Sequence, residues 1–333
     1  MAKKTKNALN DLLGSITKDM KLDKGVIRSE EGLPNIPRYS LTSLTLNKIF
    51  GPGFPKGRIT IFSGKESCGK SLLSTIIASD VQKRHNGVVV YIDAEGTFDY
   101  KFANQLGLKT NPENFILIQP DYGEQGLQIM EQLVESGLVD LIIGDSIGAF
   151  MPKAMTEDDI EDSKMGVKAR MWSKALPRIQ NKCRKSGTSI ILVSQLRNKI
   201  GVMFGSPLTT EGGEAPKYYS SISMQFNKAD MLYDKGEEDP YALIMKLVNK
   251  KNKVAPPFKK AELKINFNGG IDYDYELLEY ACAYDFIQKG GAWITFDENN
   301  KFQGMEKAVE YFRTLDDEYK EELRQKVIKA MFP

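Results

Sequence analysis

The chain has 333 residues, 41% of them hydrophobic, which is enough for one large core with room for a smaller domain beside it. With 46 basic residues against 44 acidic ones, the formal net charge is only +2, which excludes a global basic field and leaves any nucleic-acid affinity to local grouping. Cys68, Cys183 and Cys282 lack paired or metal-like spacing, and no apolar stretch approaches the roughly 20 residues of a membrane helix, so a soluble, reduced, cytoplasmic protein with no membrane partner is expected.

The opening MAKKTKNALN carries lysines but no apolar segment after them, which predicts a few unstructured residues rather than a secretion signal. Over residues 8–20, Leu9, Leu12, Leu13, Ile16 and Met20 recur at helical spacing and predict a short amphipathic helix. Its apolar stripe needs a partner, and two stay open: its own domain or a neighbouring subunit. Gly51, Pro52, Gly53, Pro55 and Gly57 then punctuate the chain before an apolar run at 58–62 that reads as a buried strand. Apolar runs at 88–92, 141–143 and 189–193 each follow a longer helix-like segment. Strands alternating with helices imply crossover units around a mostly parallel sheet covered on both faces. Runs at 242–248 and 261–267 lack an intervening helix and are expected to join the sheet edge antiparallel. Beyond Gly269 and Gly270, a helical stretch, a strand-like piece at 290–296 and a charged terminal helix suit a small appended α+β domain. The expected division is 1–40 as an N-terminal helix and linker, 41–268 as the α/β core, and 269–333 as the C-terminal domain.

Gly64, Lys65, Glu66, Ser67, Cys68, Gly69, Lys70 and Ser71 satisfy the G-x-x-x-x-G-K-[ST] pattern between a predicted strand and a predicted helix. The glycines let backbone N–H groups curl around phosphate oxygens and the helix N-terminus adds a favourable dipole. Lys70 can reach the β and γ phosphates, and the Ser71 hydroxyl can ligate magnesium. Cys68 reads as a small space-filling residue of this loop. A second strand ends in Asp145, suited to positioning magnesium directly or through water. A third ends in Asp93-Ala-Glu95, which offers Glu95 to orient or activate the attacking water and requires one of the two carboxylates to point away. Gln195 closes a fourth, where an uncharged amide can hydrogen-bond a γ-phosphate and report its loss. Ends of parallel strands are where open α/β sheets bind ligands. The chemistry these residues call for is ATP hydrolysis with Mg2+, with Lys70, Glu95 and Gln195 as the catalytic set.

From about Leu41 to the end, the chain resembles the bacterial RecA recombinases, with a diverged or phage-encoded member in view. The resemblance rests on YIDAEGTFD at 91–99, QPDYGEQGLQI at 119–129, PKAMTEDDIEDSKMGVKARM at 152–171, NKIGVMFGSP at 198–207, EGGEAPKYY at 211–219, KNKVAPPFK at 251–259 and GGAWITF at 290–296. It implies a RecA-type P-loop ATPase core, a short N-terminal helix for subunit contact and a small C-terminal α+β domain. The implied function is that of an ATP-dependent DNA recombinase that forms a filament on single-stranded DNA and exchanges it with homologous double-stranded DNA, with single-strand-binding and loading proteins as further partners. It also implies that Asp99 reads the adenine amino group, that Phe102 stacks on the ring where the family has Tyr, and that Lys251 and Lys253 reach across a subunit interface to a neighbour's ATP phosphates. By charge pattern alone those two lysines would be a solvated run.

Two loops are implied to carry single-stranded DNA. The first, about 155–166, is acidic, so Met165 at its end and Lys168, Arg170 and Lys174 on the following helix are the candidate wedge and phosphate contacts. The family's next arginine is displaced here, with Pro177 in its place and Arg178 adjacent. The second loop, about 196–211, mixes Arg197 and Lys199 with Ile200, Val202, Met203 and Phe204 and is followed by Gly212 and Gly213, a pattern suited to tracking a backbone and wedging between bases. A weaker site for incoming duplex is implied near Asn227, Lys228 and Lys246, with Asn227 standing where the family has a basic residue; Lys289 and Lys301 in the C-terminal domain are candidates to help capture duplex, with scattered surface lysines the safer reading. The chain ends at Met-Phe-Pro without the acidic tail of many relatives, which predicts one brake fewer on duplex capture. Against this reading stand a ring-forming helicase or regulatory ATPase, and a shielding filament with vestigial hydrolysis.

Overall fold

The computed structural model describes residues 2–21, 36–156, 166–198, 208–233 and 236–333. By their contacts these form two units, Met1–Pro37 and Arg38–Pro333. The described part of the first is one helix, α1 (Ala2–Asp19), longer than the 8–20 expected from spacing.

The second unit opens with β1 (Arg38–Tyr39), α2 (Leu44–Phe50), β2 (Phe54–Pro55), β3 (Ile59–Gly64), α3 (Lys70–His85), β4 (Val89–Asp93), α4 (Tyr100–Gln105), β5 (Phe115–Ile118), α5 (Gly123–Ser136) and β6 (Leu141–Asp145). It continues with α6 (Lys153–Thr156), α7 (Val167–Ser186), β7 (Ser189–Asn198), β8 (Leu208–Thr210), α8 (Ala215–Tyr219), β9 (Ile222–Tyr233), β10 (Pro240–Asn252), β11 (Lys260–Asn266) and β12 (Gly270–Ile271). The last stretch holds α9 (Tyr273–Ala283), β13 (Gln288–Gly290), β14 (Trp293–Thr295), β15 (Lys301–Gln303), α10 (Met305–Thr314) and α11 (Asp317–Met331).

The main sheet runs β12-β11-β10-β9-β3-β7-β6-β4-β5, with β8 paired to β7. From β5 to β9 every neighbouring pair is parallel, and β10, β11 and β12 complete the edge antiparallel, as the runs at 242–248 and 261–267 predict. Strand alternation sends side chains to two cores. Phe62, Val89, Tyr91, Leu141 and Ile143 pack with Leu73, Ile77 and Val81 of α3 on one face. Ile59, Ile61, Val90, Ile92 and Ile142 pack with Leu127 and Met130 of α5 and Trp172, Leu176 and Ile179 of α7 on the other. β5 and β9 were not singled out from sequence. For β9 the signal is present, since Ile222, Met224 and Phe226 are buried while Ser223, Gln225 and Asn227 are half-exposed.

A third core gathers Leu277, Leu278, Ile294, Phe312, Leu323 and Val327 around Leu44 of α2. Polar ties reinforce that junction. The Glu276 carboxylate accepts from Ser43 Oγ (2.6 Å), Leu44 N (2.7 Å) and Thr45 N (3.0 Å), and Arg324 Nη2 donates to Leu41 O (2.9 Å). Burial pushes the Glu276 carboxyl above its usual range, and the bonds from Ser43, Thr45 and Leu44 only partly oppose this.

Candidate nucleotide site and nucleic-acid interface

Strand β3 ends at Gly64 and α3 begins at Lys70, so the intervening loop must turn the chain back over the strand ends. Ser67 and Gly69 take positive φ, +55° and +85°, to do so. A side chain at Gly64 would sit 2.6 Å from Cys68 Sγ and 2.8 Å from the backbone O of Phe226, so the close approach to β9 fixes glycine there. Cys68 is buried and its Sγ donates to Lys65 O at 2.9 Å, which matches the space-filling reading. Gly69 lends no side chain to the N-terminus of α3, leaving its first-turn N–H groups without a side-chain cap. Lys70 Nζ lies folded within the loop, donating to Lys65 O (2.6 Å) and Gly64 O (3.2 Å).

Two further strand ends, those of β6 and β4, converge beside this loop; Gln195, expected to close a fourth strand, instead lies within β7, which continues to Asn198 because it pairs with β8. Asp145 Oδ2 accepts from Ser71 Oγ at 2.6 Å and from Tyr91 OH at 2.7 Å. Burial raises the Asp145 carboxyl above its usual range; the bonds from Ser71 and Tyr91 oppose the shift, and the charges of Glu95 and Asp93 add to it. Tyr91, two residues before the end of β4, was missed from sequence because its apolar neighbours made it read as strand core. Of the two candidate carboxylates on β4, Asp93 is the one turned away from the rim. It is buried and holds the following turn by accepting from Gly96 N (2.9 Å), Phe98 N (3.0 Å) and Gln119 Nε2 (3.1 Å). Glu95 stands exposed past the strand end and accepts a short hydrogen bond from Ser146 Oγ. Gln195 is half-buried and lies in parallel register with Gly64.

The donor set fits a nucleoside triphosphate with magnesium: uncapped helix amides and an ammonium for phosphate oxygens, and a hydroxyl–carboxylate pair for the metal. Among the described residues no cluster of three or more His, Cys, Asp or Glu side chains could hold a metal unaided. Ser71 and Asp145 would therefore share it with phosphate oxygens. Asp99 caps α4, its Oδ1 accepting from Phe102 N at 3.0 Å, and Phe102 is half-buried against the core. Lys251 is docked on its own protomer, donating to Lys217 O (2.6 Å) and Tyr218 O (3.1 Å) at the end of α8. Burial, helped by the charges of Lys253 and Lys217, pushes its ammonium down to about 8. Lys253 Nζ lies 5.9 Å from the Tyr218 ring centroid.

On the implied DNA face, α7 presents Arg170, Lys174 and Arg178 one turn apart along a groove of about 380 Å³ shared with α5. Arg178 follows Pro177, which cannot donate to the carbonyl one turn earlier. Its guanidinium turns to α5, Nη2 lying 2.9 Å from Glu131 Oε1, where Lys182 also donates at 2.8 Å. Burial works against the Glu131 carboxylate, yet Lys182 and Arg178 outweigh it and hold the group below its usual range. Lys168 Nζ donates to Gly148 O at 2.5 Å. The expected second loop begins and ends as a ribbon: β7 runs on past Gln195, and Leu196, Arg197 and Asn198 pair with Thr210, Thr209 and Leu208. Gly212 and Gly213 follow with φ of +81° and +78°. Met165, Lys199 and Ile200 lie outside the described residues. Lys228 lies on β9, and Lys246, opposite Asn227, is paired with Asp230 at 2.5 Å. Lys289 and Lys301 sit on the outer strands of the small sheet, with Lys301 Nζ 5.3 Å from the Trp293 ring centroid.

Residues 7–272 match the family model described as the RecA N-terminal domain, and residues 275–331 the RecA C-terminal domain. A Protein RecA from Macrococcus caseolyticus (strain JCSC5402) is 42% identical over 298 residues, covering 89% of this chain and 83% of that one. One from Lactococcus lactis subsp. cremoris (strain MG1363) is 40% identical over 318 residues, covering 94% and 81%. One from Borrelia hermsii is 41% identical over 298 residues, covering 89% and 83%. A crystal structure of the RadB recombinase aligns at a TM-score of 0.49 with 21% identity, covering 68% of this chain and 94% of that one, a likeness too slight to carry an argument. Among the described residues no helix is long and apolar enough to cross a membrane.

Proposed function

The chain belongs to the RecA family and is a DNA recombinase, and from that premise we propose that it works as a cytoplasmic, DNA-dependent ATPase that polymerises on single-stranded DNA and pairs it with homologous duplex. The observation that carries the ATPase reading is the convergence of Lys70, Ser71, Asp145, Glu95 and Gln195 at adjacent ends of one parallel sheet. Lys70 and the first-turn amides of α3 hold the triphosphate. Ser71 and Asp145 hold magnesium, which when bound neutralises charge on the phosphate oxygens. Glu95, exposed and accepting from Ser146 at one oxygen, positions the attacking water. Asp99 and Phe102 receive the base, and Lys251 leaves its α8 carbonyls to join Lys253 on a neighbouring protomer's phosphates. The helix α1 docks on a second copy of the chain. Residues 1–40 thus serve subunit contact, 41–268 chemistry and DNA, and 269–333 duplex capture through Lys289 and Lys301.

Arg170, Lys174, Arg197, Lys199, Ile200, Met165 and the Gly212–Gly213 backbone meet single-stranded DNA, and Lys228 the duplex. Arg178 is claimed first by Glu131, so its share in DNA binding is the smallest of the set. The test is phosphate release with ATP and Mg2+, with and without oligothymidylate, alongside co-sedimentation of the protein with the strand. Stimulated release and a pelleted polymer are expected. Release indifferent to DNA would contradict the reading and favour a shielding filament or a regulatory ATPase.

A further inference from the structure

Trp172 is fully buried among the α5, α7 and sheet side chains, its ring 5.3 Å from that of Phe150, yet its indole Nε1 has no hydrogen-bond partner among the described residues. A buried donor without an acceptor is uncommon and unfavourable, and one kept in a packed core calls for an explanation. Its location supplies one. The edge of the indole that carries Nε1 faces the exit of the second loop: a side chain placed on Gly212 would sit 3.0 Å from Trp172 Cδ1, 2.6 Å from Ile147 Cγ2 and 3.3 Å from Pro216 Cγ. A side chain placed on Gly213 would likewise sit 2.9 Å from Ala169 Cβ, one turn before Trp172 on the same helix. These two glycines sit in consecutive positive-φ conformations with no side chain to restrain their peptides, so the stem can turn its carbonyls at little steric cost.

The other side of the contact leads to the nucleotide rim. Ile147, which touches the Gly212 stem, follows Ser146, whose hydroxyl donates to Glu95, and Ile147 N donates to Val193 O at 2.7 Å on β7, two residues before Gln195. Glu95, Ser146, Ile147, Gly212 and Trp172 thus follow one another as hydrogen-bonded, sequence-adjacent or closely packed neighbours, by a route that does not pass through Gln195. A contact chain alone does not make a coupling; a two-state element does. We infer that Trp172 is a positioning residue that couples the Glu95 end of the nucleotide site to the Glu211–Gly213 stem, and that its indole N–H is kept for a stem carbonyl that turns toward it when nucleotide and single-stranded DNA are bound. The inference rests on the proposed DNA role of the second loop.

With two tryptophans in the chain, Trp293→Phe leaves Trp172 as the sole reporter. Its ultraviolet resonance Raman signature for indole N–H hydrogen bonding is recorded before and after adding oligothymidylate, Mg2+ and a non-hydrolysable ATP analogue. A shift to the hydrogen-bonded signature is expected with all three present. In parallel, Trp172→Phe keeps an aromatic ring but removes the donor. DNA-stimulated hydrolysis should fall about fivefold or more, the lower range for coupling between sites, while DNA-independent hydrolysis holds. An unchanged Raman signature overturns the inference whether or not the Phe variant folds, and so does full stimulation in a folded variant. If oligothymidylate fails to stimulate the parent protein, the DNA reading falls first and this inference with it; stimulation of the parent with an unmoved Trp172 sinks this inference alone.

Discussion

At the proposed nucleotide rim, Asp145 and Glu95 sit at or just past the ends of parallel strands, Ser71 on the helix that follows one and Gln195 level with Gly64, and the bonds of Ser71 to Asp145 and of Ser146 to Glu95 join one motif to the next. Along α7, Arg170, Lys174 and Arg178 have the same helical spacing and line one groove, yet Arg178 is spent on an ion pair with α5. At the rim, covalent spacing and strand direction decide what each side chain can reach, so residue type and position give the chemistry. On the proposed DNA face a basic residue can serve an ion pair or a phosphate equally well, and only tertiary neighbours decide between them.

The largest expected effect breaks the rim half of this comparison. Lys70→Ala should cut phosphate release by about 10³-fold or more, the range for a cation that stabilises a transferring phosphoryl group. Unchanged release would remove the nucleotide site from the account. Glu95→Gln should slow release by about 10²-fold with ATP still bound, as loss of a general base does. A variant that cannot bind nucleotide would give Glu95 a different role.

A pH titration sharpens the contrast between a protomer and its polymer. Lys251, held at about 8, loses its charge as pH rises through that value, so polymer assembly and DNA-stimulated hydrolysis should decline a few-fold above pH 8. Its effect on protomer stability has the opposite sign. Between about 8 and the ordinary lysine value the unfolded chain holds the extra proton, so this group adds stability as pH rises through that window. Lys251→Arg keeps its charge and should move the decline in activity upward. Identical pH profiles for parent and variant would show that Lys251 takes no part at the interface.

The smallest effects separate the basic residues of α7. Lys174→Ala should reduce the slope of log affinity against log salt by about 0.7 for single-stranded DNA, the share of one phosphate. Arg178→Ala should leave the slope nearly unmoved, and it should cost less than about 1 kcal/mol in stability because the Arg178 side chain is largely exposed and Lys182 still pairs with Glu131. Equal slope changes for the two would mean that Glu131 releases Arg178 to the strand.

Most of the sheet was legible because its apolar runs have strand length and alternate with helical segments. β9 was passed over although Ile222, Met224 and Phe226 alternate with polar residues, since its remainder, Asn227-Lys-Ala-Asp230, breaks the pattern. The phosphate loop and the ends of β3, β4 and β6 were legible as spacing, whereas the continuation of β7 past Gln195 was not, because it depends on pairing with β8. Tyr91 on Asp145, Ser146 on Glu95 and the docking of Lys251 on α8 were not, because each joins segments far apart in sequence through a residue that is ordinary in its own. The orphan indole of Trp172 belongs to the same class: a Trp on an apolar helix face reads as core, and only the folded neighbours show its N–H without an acceptor.

The central claim is homologous pairing driven from this nucleotide site. Its most direct test is joint-molecule formation between a labelled single strand and a supercoiled duplex, with ATP and Mg2+, and phosphate release followed in the same tubes. The account predicts joints only when the sequences are homologous, together with DNA-stimulated release. Stimulated release without joints would contradict it and point to a translocase or a shielding filament.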